Sequence, residues 1–253
     1  MDIDQYLKKI NLKAKTPTLN FLNEIISAHQ KTISFNNLSV FYRPGQILNL
    51  KLEALFEKVI LQGKGGYCFE NNKVLYYLLK YLGFEVEAKA ARVLYNNPGD
   101  VPRTHRMTIV MIEGERYLAD VGFGRDVPTR AIKIGIQQNS GHQVIMKDEL
   151  YRLELLKSDS LIDLYTFDDG RYQESDFDLG NYYTNTHPDS KFLKELIVTR
   201  IDQNLIEFIK GRTYTKIEKG ERVDSEIKNQ NEFQMYLKRF GIEDSYDFSK
   251  ILA

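Results

Sequence analysis

Gly63-Lys64-Gly65-Gly66-Tyr67-Cys68-Phe69-Glu70-Asn71-Asn72 contains the only cysteine of the 253-residue chain. The glycines just before it allow positive φ and close backbone approach, and residues 71–82 then carry apolar side chains at helical spacing, with Gly83 as the stop. Cys68 therefore sits at or just before a helix N-terminus. The unpaired N–H groups and the positive end of the helix dipole favour an anion there, which suits a thiolate nucleophile. A lone cysteine is also an ordinary small buried apolar residue, so assigning chemistry to Cys68 requires partners elsewhere in the chain.

Upstream, residues 4–10, 18–27 and 50–61 place apolar side chains three and four apart, with Pro17 and Thr18 as start signals. Together with the Cys68 helix they read as a helical bundle ending in the nucleophile. Residues 33–38 between the second and third helices read as a loop. Downstream of Val86 the period changes to two. Residues 86–94, 107–112, 116–121, 142–146 and 150–156 alternate or run apolar between turn residues, as antiparallel strands do. Shorter strands are expected at 161–167 and 196–201, and residues 211–223 read as two more about Lys219-Gly220. Residues 231–240 return to helical spacing, with Gly241 as the stop. The order of helices, sheet and mixed end is that of an α+β protein, with expected units 1–84, 85–189 and 190–253.

Thirty-five basic and thirty-five acidic residues cancel, leaving no global field to attract nucleic acid or an anionic membrane. One cysteine excludes an internal disulfide and multi-cysteine zinc motifs, and a free thiol persists most easily in a reducing compartment, so no metal and a cytoplasmic setting are expected. The N-terminus lacks an apolar stretch of signal-peptide type, and no later run approaches the roughly eighteen apolar residues of a membrane span.

The hairpin around Glu113-Gly114 supplies the partners. If these two residues form the turn, Ile112 faces Glu115 and Met107 faces Asp120, with His105 two residues along on the same face. His105 and Asp120 are then diagonal neighbours, roughly 7–8 Å apart at the backbone and within side-chain reach. A one-residue slip would put them on opposite faces. Asp120 would fix the imidazole tautomer and stabilise the imidazolium formed when His105 takes the Cys68 proton. The other histidines lack such a carboxylate: His29 lies in a helix, His142 starts a strand, and His187 precedes Pro188 in a loop.

Gly65-Gly66-Tyr67-Cys68-Phe69-Glu70, Thr104-His105, Leu118-Ala119-Asp120-Val121-Gly122-Phe123-Gly124 and His187-Pro188-Asp189-Ser190-Lys191-Phe192 resemble, in order and spacing, the arylamine N-acetyltransferases. The resemblance runs from about Tyr6 to Arg200. It implies a helical domain, a β-barrel and a C-terminal α/β lid in a papain-like arrangement, with Cys68, His105 and Asp120 as the triad. It further implies acetyl-CoA as donor, arylamines, arylhydroxylamines or hydrazines as acceptors, a role in xenobiotic metabolism, and Phe35, Phe123 and Phe192 as the acceptor pocket.

Three positions depart from the family pattern, one of them Ser34, which stands where Pro is usual. Lys64 stands where Arg is usual, and Asn36 where Glu is usual, so the loop presenting Cys68 is expected to lose a planar Arg–carboxylate brace, with Lys64 taking over part of it. The chemistry expected is double displacement through an acetyl-Cys68 intermediate, with backbone N–H groups near Cys68 and Thr104 as candidate oxyanion donors. For the CoA phosphates the candidates are Gly122, Phe123, Gly124 and Arg125, with Arg106 and Arg130 behind them and a plain glycine turn as the alternative. A papain-like hydrolase, an amide synthase, or a binding protein with a vestigial site are the competing readings.

Overall fold

The computed structural model, which describes residues 1–95, 99–157 and 160–252, begins with helices α1 (Ile3–Lys9) and α2 (Leu19–Thr32). Each opens on a side-chain cap: Asp2 accepts from the Gln5 N–H and Thr18 from the Phe21 N–H, satisfying donors that a first turn leaves unpaired. α2 runs past the expected end at residue 27 because His29 and Gln30 beyond it are buried too. His29 hydrogen-bonds Tyr6 Oη at 2.6 Å, and Gln30 donates to the carbonyls of Asp120 and Pro128 at 3.3 and 2.8 Å.

The expected loop at 33–38 holds a two-residue strand, β1 (Phe35–Asn36), and leads into the short helix α3 (Leu38–Tyr42). The expected helix over 50–61 is α4 (Leu52–Leu55) continued by a π-helical stretch, Phe56–Leu61. From that stretch Lys58 reaches the buried Glu70 carboxylate at 2.7 Å. Helix α5 (Cys68–Tyr81) starts earlier than the apolar period indicates. Glu70 accepts from the Tyr67 N–H at 3.1 Å, a capping contact that hydrophobic spacing does not reveal.

Seven strands follow: β2 (Glu85–Val93), β3 (Arg103–Ile112), β4 (Glu115–Ala119), β5 (Ile132–Lys133), β6 (Gly141–Lys147), β7 (Leu150–Lys157) and β8 (Ser160–Phe167). They form one sheet in the order β5-β4-β3-β2-β8-β7-β6. Just past β5, Ile134 bridges to Val144 of β6, and the Gly135 N–H donates to the Val144 carbonyl at 2.8 Å. That contact draws the two edges together into a nearly closed barrel. β3 is buried on both faces, with Met107 and Ile109 in the barrel's interior cluster and Val110 in the helical cluster with Val74 and Leu78 of α5.

Helices α6 (Glu174–Thr186) and α7 (Lys191–Lys194) lead to a five-stranded sheet, ordered β1-β9-β10-β11-β12. It comprises β1 with β9 (Ile197–Asp202), β10 (Leu205–Lys210), β11 (Thr213–Glu218) and β12 (Glu221–Glu226). The Lys219-Gly220 turn lies where expected, both residues at positive φ. Neither α6 nor β10 was anticipated from the sequence pattern. β1 crosses between expected units, setting Phe35 opposite Thr199 and Asn36 opposite Val198. Helix α8 (Gln230–Arg239) and the closing 3-10 turn Phe248–Ile251 cover this sheet through Phe233, Leu237 and Phe248. Among the described residues no helix is long and apolar enough to cross a membrane.

Candidate active site

The hairpin turn is the expected one: Glu113 and Gly114 have φ of 53° and 78°, Ile112 pairs with Glu115, and Thr108 with Ala119. That register carries Asp120, one residue past the end of β4, to His105. His105 Nε2 and Asp120 Oδ2 are 2.7 Å apart and both side chains are buried. Burial alone would lower the imidazole pKa, but the charge and hydrogen bond of Asp120, with Cys68 alongside, outweigh it and raise it to about 10. Burial would likewise raise the Asp120 carboxyl, yet His105, Asn72 and the Gly122 N–H together hold it below its ordinary value. Opposite charges and donors aimed at the ionised form are what oppose desolvation.

Cys68 is the first residue of α5. Its Sγ donates to the Thr104 carbonyl at 3.4 Å, and the thiol lies near enough to His105 to help raise the imidazole pKa. The approach is possible because residue 122 is glycine: a Cβ there would sit 2.8 Å from the Cys68 Cα and 2.6 Å from Asn72 Nδ2. Asp120 also receives Tyr165 Oη on Oδ2 at 3.0 Å, and Asn72 Nδ2 and the Gly122 N–H on Oδ1, each at 2.8 Å. Sequence reasoning singled out neither Asn72 nor Tyr165. Asn72 carries a signal in hindsight, since it lies four residues after Cys68 and hence on the same helix face.

The aromatic candidates form two groups. The Phe123 ring stands edge-on to His105 and to Tyr165, each at 5.2 Å between centroids. Phe35 and Phe192 are 6.1 Å apart, and Phe192 is 6.0 Å from Tyr67 beside the cysteine. Gly124, with φ of 85°, brings its backbone against Phe35. Arg125 donates to Tyr95 Oη at 3.0 Å, pairs with Asp126 at 3.1 Å and lies 5.1 Å over Phe208 of β10, while its side chain stays partly exposed.

Arg106 points away from this region. It is wholly buried, forms a bidentate pair with Glu174 and packs 4.1 Å over Phe177, so its charge is spent inside the protein; Arg130 is exposed. Of the remaining histidines, His29 is pushed down to about 3 by burial, His142 binds the Asp126 carbonyl at 2.8 Å, and His187 stacks on Tyr183 at 4.2 Å. The expected brace by Lys64 is corrected. Lys64 Nζ pairs with Asp244 in the C-terminal segment at 2.8 Å, and the loop is held instead by Asn36 Nδ2 donating to the Lys64 carbonyl at 2.9 Å. The short Asn36 amide can reach backbone but offers no charge to draw the ammonium inward. Among the described residues no group of three or more His, Cys, Asp and Glu side chains could hold a metal ion.

A family model described as N-acetyltransferase matches residues 18–246. The chain is 33% identical to the arylamine N-acetyltransferase of Mycolicibacterium smegmatis, over 96% of this chain and 92% of that one. It is 34% identical to the arylamine N-acetyltransferase / N-hydroxyarylamine O-acetyltransferase of Salmonella typhimurium, over 73% and 67% of the two chains. The structure superposes on Mycobacterium marinum arylamine N-acetyltransferase in complex with CoA with a TM-score of 0.89 at 28% identity, covering 99% of this chain and 97% of the other. With the family model spanning most of its length and the relatives agreeing in sequence and fold, the chain belongs to the arylamine N-acetyltransferase family of acyltransferases.

Proposed function

We propose that the protein transfers an acetyl group from acetyl-CoA to arylamines, arylhydroxylamines or hydrazines through a Cys68 thioester. The observation that carries this reading is the buried His105–Asp120 contact set beside the cysteine that opens α5. In the first half-reaction His105 takes the Cys68 proton and Sγ attacks the acetyl carbonyl. The tetrahedral oxyanion is met by backbone N–H groups near Cys68 and Thr104. The carbon–sulfur bond to CoA breaks, and the departing thiolate takes the proton back from His105. In the second half-reaction the amine nitrogen attacks the acetyl-Cys68 carbonyl while His105 accepts its proton, and the bond to Sγ breaks to release the amide. Asp120 holds the ring and its positive charge through both steps.

Phe35, Phe123 and Phe192 are proposed to receive the apolar ring of the acceptor. For CoA the proposed contacts are Thr104, Gly122, Phe123, Gly124 and Arg125. The Gly122 N–H already serves Asp120, so the charge proposed for a phosphate is Arg125, partly exposed beside Asp126. The Mycobacterium marinum relative with CoA bound supports the donor assignment.

Incubation with acetyl-CoA and no amine tests this directly. The expected result is one acetyl group at Cys68 by peptide mapping, with CoA released in an amount no greater than the enzyme present. An aryl hydrazine added afterwards should discharge the adduct as the amide. Acetyl found on a lysine while Cys68 stays free, or no release of CoA, overturns the reading.

A further inference from the structure

Cys68, His105 and Asp120 come from three different elements, and one side chain outside them touches the backbone or carboxylate of two and stands on the third. Asn72 is completely buried in α5, one helical turn beyond Cys68. Its Nδ2 donates to Asp120 Oδ1 at 2.8 Å and to the Arg106 carbonyl, next to His105 in β3, at 2.5 Å. Its Oδ1 accepts from the Val121 N–H at 2.9 Å, immediately after Asp120. The amide thus uses both N–H donors and its oxygen on the histidine strand and the aspartate segment, from the helix that carries the nucleophile. The Asp120 oxygen it occupies is the one that His105 does not use. Gly122 leaves room for it, since any Cβ there would fall 2.6 Å from Asn72 Nδ2.

We propose that Asn72 is a positioning residue for the thiol–imidazole pair: it aims the Asp120 carboxylate at His105 and fixes the distance of both from Cys68. Only an amide serves all of these contacts. A carboxylate in its place would turn an acceptor toward Asp120 Oδ1 and the Arg106 carbonyl, and an aliphatic side chain would leave all of them unmet. The proposal rests on the assignment of Cys68 as nucleophile given above.

The test uses Asn72→Asp, which keeps the shape, beside Asn72→Ala, with alkylation of Cys68 by iodoacetamide as a readout that needs no acetyl-CoA. In Asn72→Asp two carboxylates face each other and can share one proton; a protonated Asp side chain restores a donor toward Asp120, an ionised one repels it. The titratable groups around that pair are His105 from β3, Tyr165 from β8, Cys68 from α5 and, farther off, His142 from β6. Tyr165 stays neutral because burial and Asp120 push its phenol well up. The expected outcome is alkylation slowed on the order of a hundredfold, as for an ångström-scale misplacement, with the Asn72→Asp deficit shrinking as pH falls and the Asn72→Ala deficit not recovering. The apparent affinity for acetyl-CoA should stay near that of the parent while the acetylation rate falls. A folded Asn72→Asp protein with the parental pH–alkylation profile overturns the proposal, and so does a failure of both variants to melt cooperatively, which would make Asn72 a core residue alone. If the parent itself takes no acetyl group, the acetyl-enzyme reading fails, and the alkylation profiles still judge Asn72.

Discussion

Asp120 is bound on both oxygens, and replacing one of them separates orientation from charge. Asp120→Asn keeps the side-chain shape but cannot balance an imidazolium and favours the wrong tautomer, so acetyl transfer should fall by about ten-thousandfold, as for the equivalent change in a serine triad. Turnover and thermal melting measured together check this; near-normal turnover in a folded variant removes Asp120 from the site. The same pair sets a pH dependence of stability. The folded-state pKa of His105, about 10, lies above the ordinary 6.5, so its stabilisation is complete below pH 6.5 and is lost as pH rises through about 10. The melting-temperature advantage of the parent over His105→Gln should therefore shrink across that window. Lys64, by contrast, belongs to a partly exposed pair with Asp244, and such pairs contribute about 0–1 kcal/mol. Lys64→Gln should shift the denaturant midpoint little, where an internal brace would have cost more. The His105–Asp120 pairing was legible because a two-residue turn fixes register and register fixes which side chains meet. The route of Lys64 was not, because a flexible four-carbon stem takes whichever carboxylate the fold brings near, and Asp244 is 180 residues away in sequence.

At the scale of elements, α6 is the piece the sequence pattern concealed, and it braces the site from behind. Its buried side chains are Phe177, Gly180, Asn181, Thr184 and Asn185, a face with one large apolar residue and hence no hydrophobic period to detect. Polar contacts hold it instead. Glu174 at its first position pairs with Lys73 of α5 at 2.6 Å and with Arg106 of β3 at 3.0 Å, and Asn181 accepts from Tyr67 Oη beside the cysteine. The helix comes so close that a Cβ on Gly180 would lie 2.5 Å from Phe69 Cζ and 2.7 Å from the Arg103 carbonyl. The carbonyl belongs to a strand and cannot yield, so Gly180→Ala should cost about 1–3 kcal/mol as an overpacked contact. Because Phe69 follows Cys68 directly, alkylation of the thiol should change as well. Urea unfolding with a parallel alkylation rate checks both, and a variant as stable as the parent would show that α6 can move off the site. The longer barrel strands such as β6 and β7 were more legible than α6, since their apolar residues alternate or run together between turn residues, whereas β1 and β10 escaped the pattern as α6 did.

Over the whole molecule, the helical side is joined to the five-stranded sheet beside the candidate site by a strand that periodicity could not have shown, because β1 is only two residues long. Phe35 is placed by its pairing with Thr199 of β9, while Phe192 is placed by the segment just before that strand. Asn37 fastens the join. Its Nδ2 donates to the carbonyls of Phe192 and Glu195 at 2.9 and 2.8 Å, and its Oδ1 accepts from the Ile197 N–H at 2.7 Å. The Asn37 side chain is buried among these half-buried backbone groups, so Asn37→Ala should cost roughly 1–3 kcal/mol through groups left unsatisfied. The loss should also be local before it is global. The barrel and α5 keep their own hydrogen bonds and core, whereas β9 loses one of its ties to the helical side and keeps the Lys31–Asp202 pair at 2.9 Å and the packing of Leu38 and Phe41, so the amides of the five-stranded sheet should exchange with solvent first. Hydrogen exchange followed strand by strand reads this out: faster exchange in β9 and β10 with unchanged protection in β3 and α5 is the expected pattern. Uniform loosening of both sheets would mean that the five-stranded sheet and the barrel unfold as one unit and that Asn37 contributes only to the total.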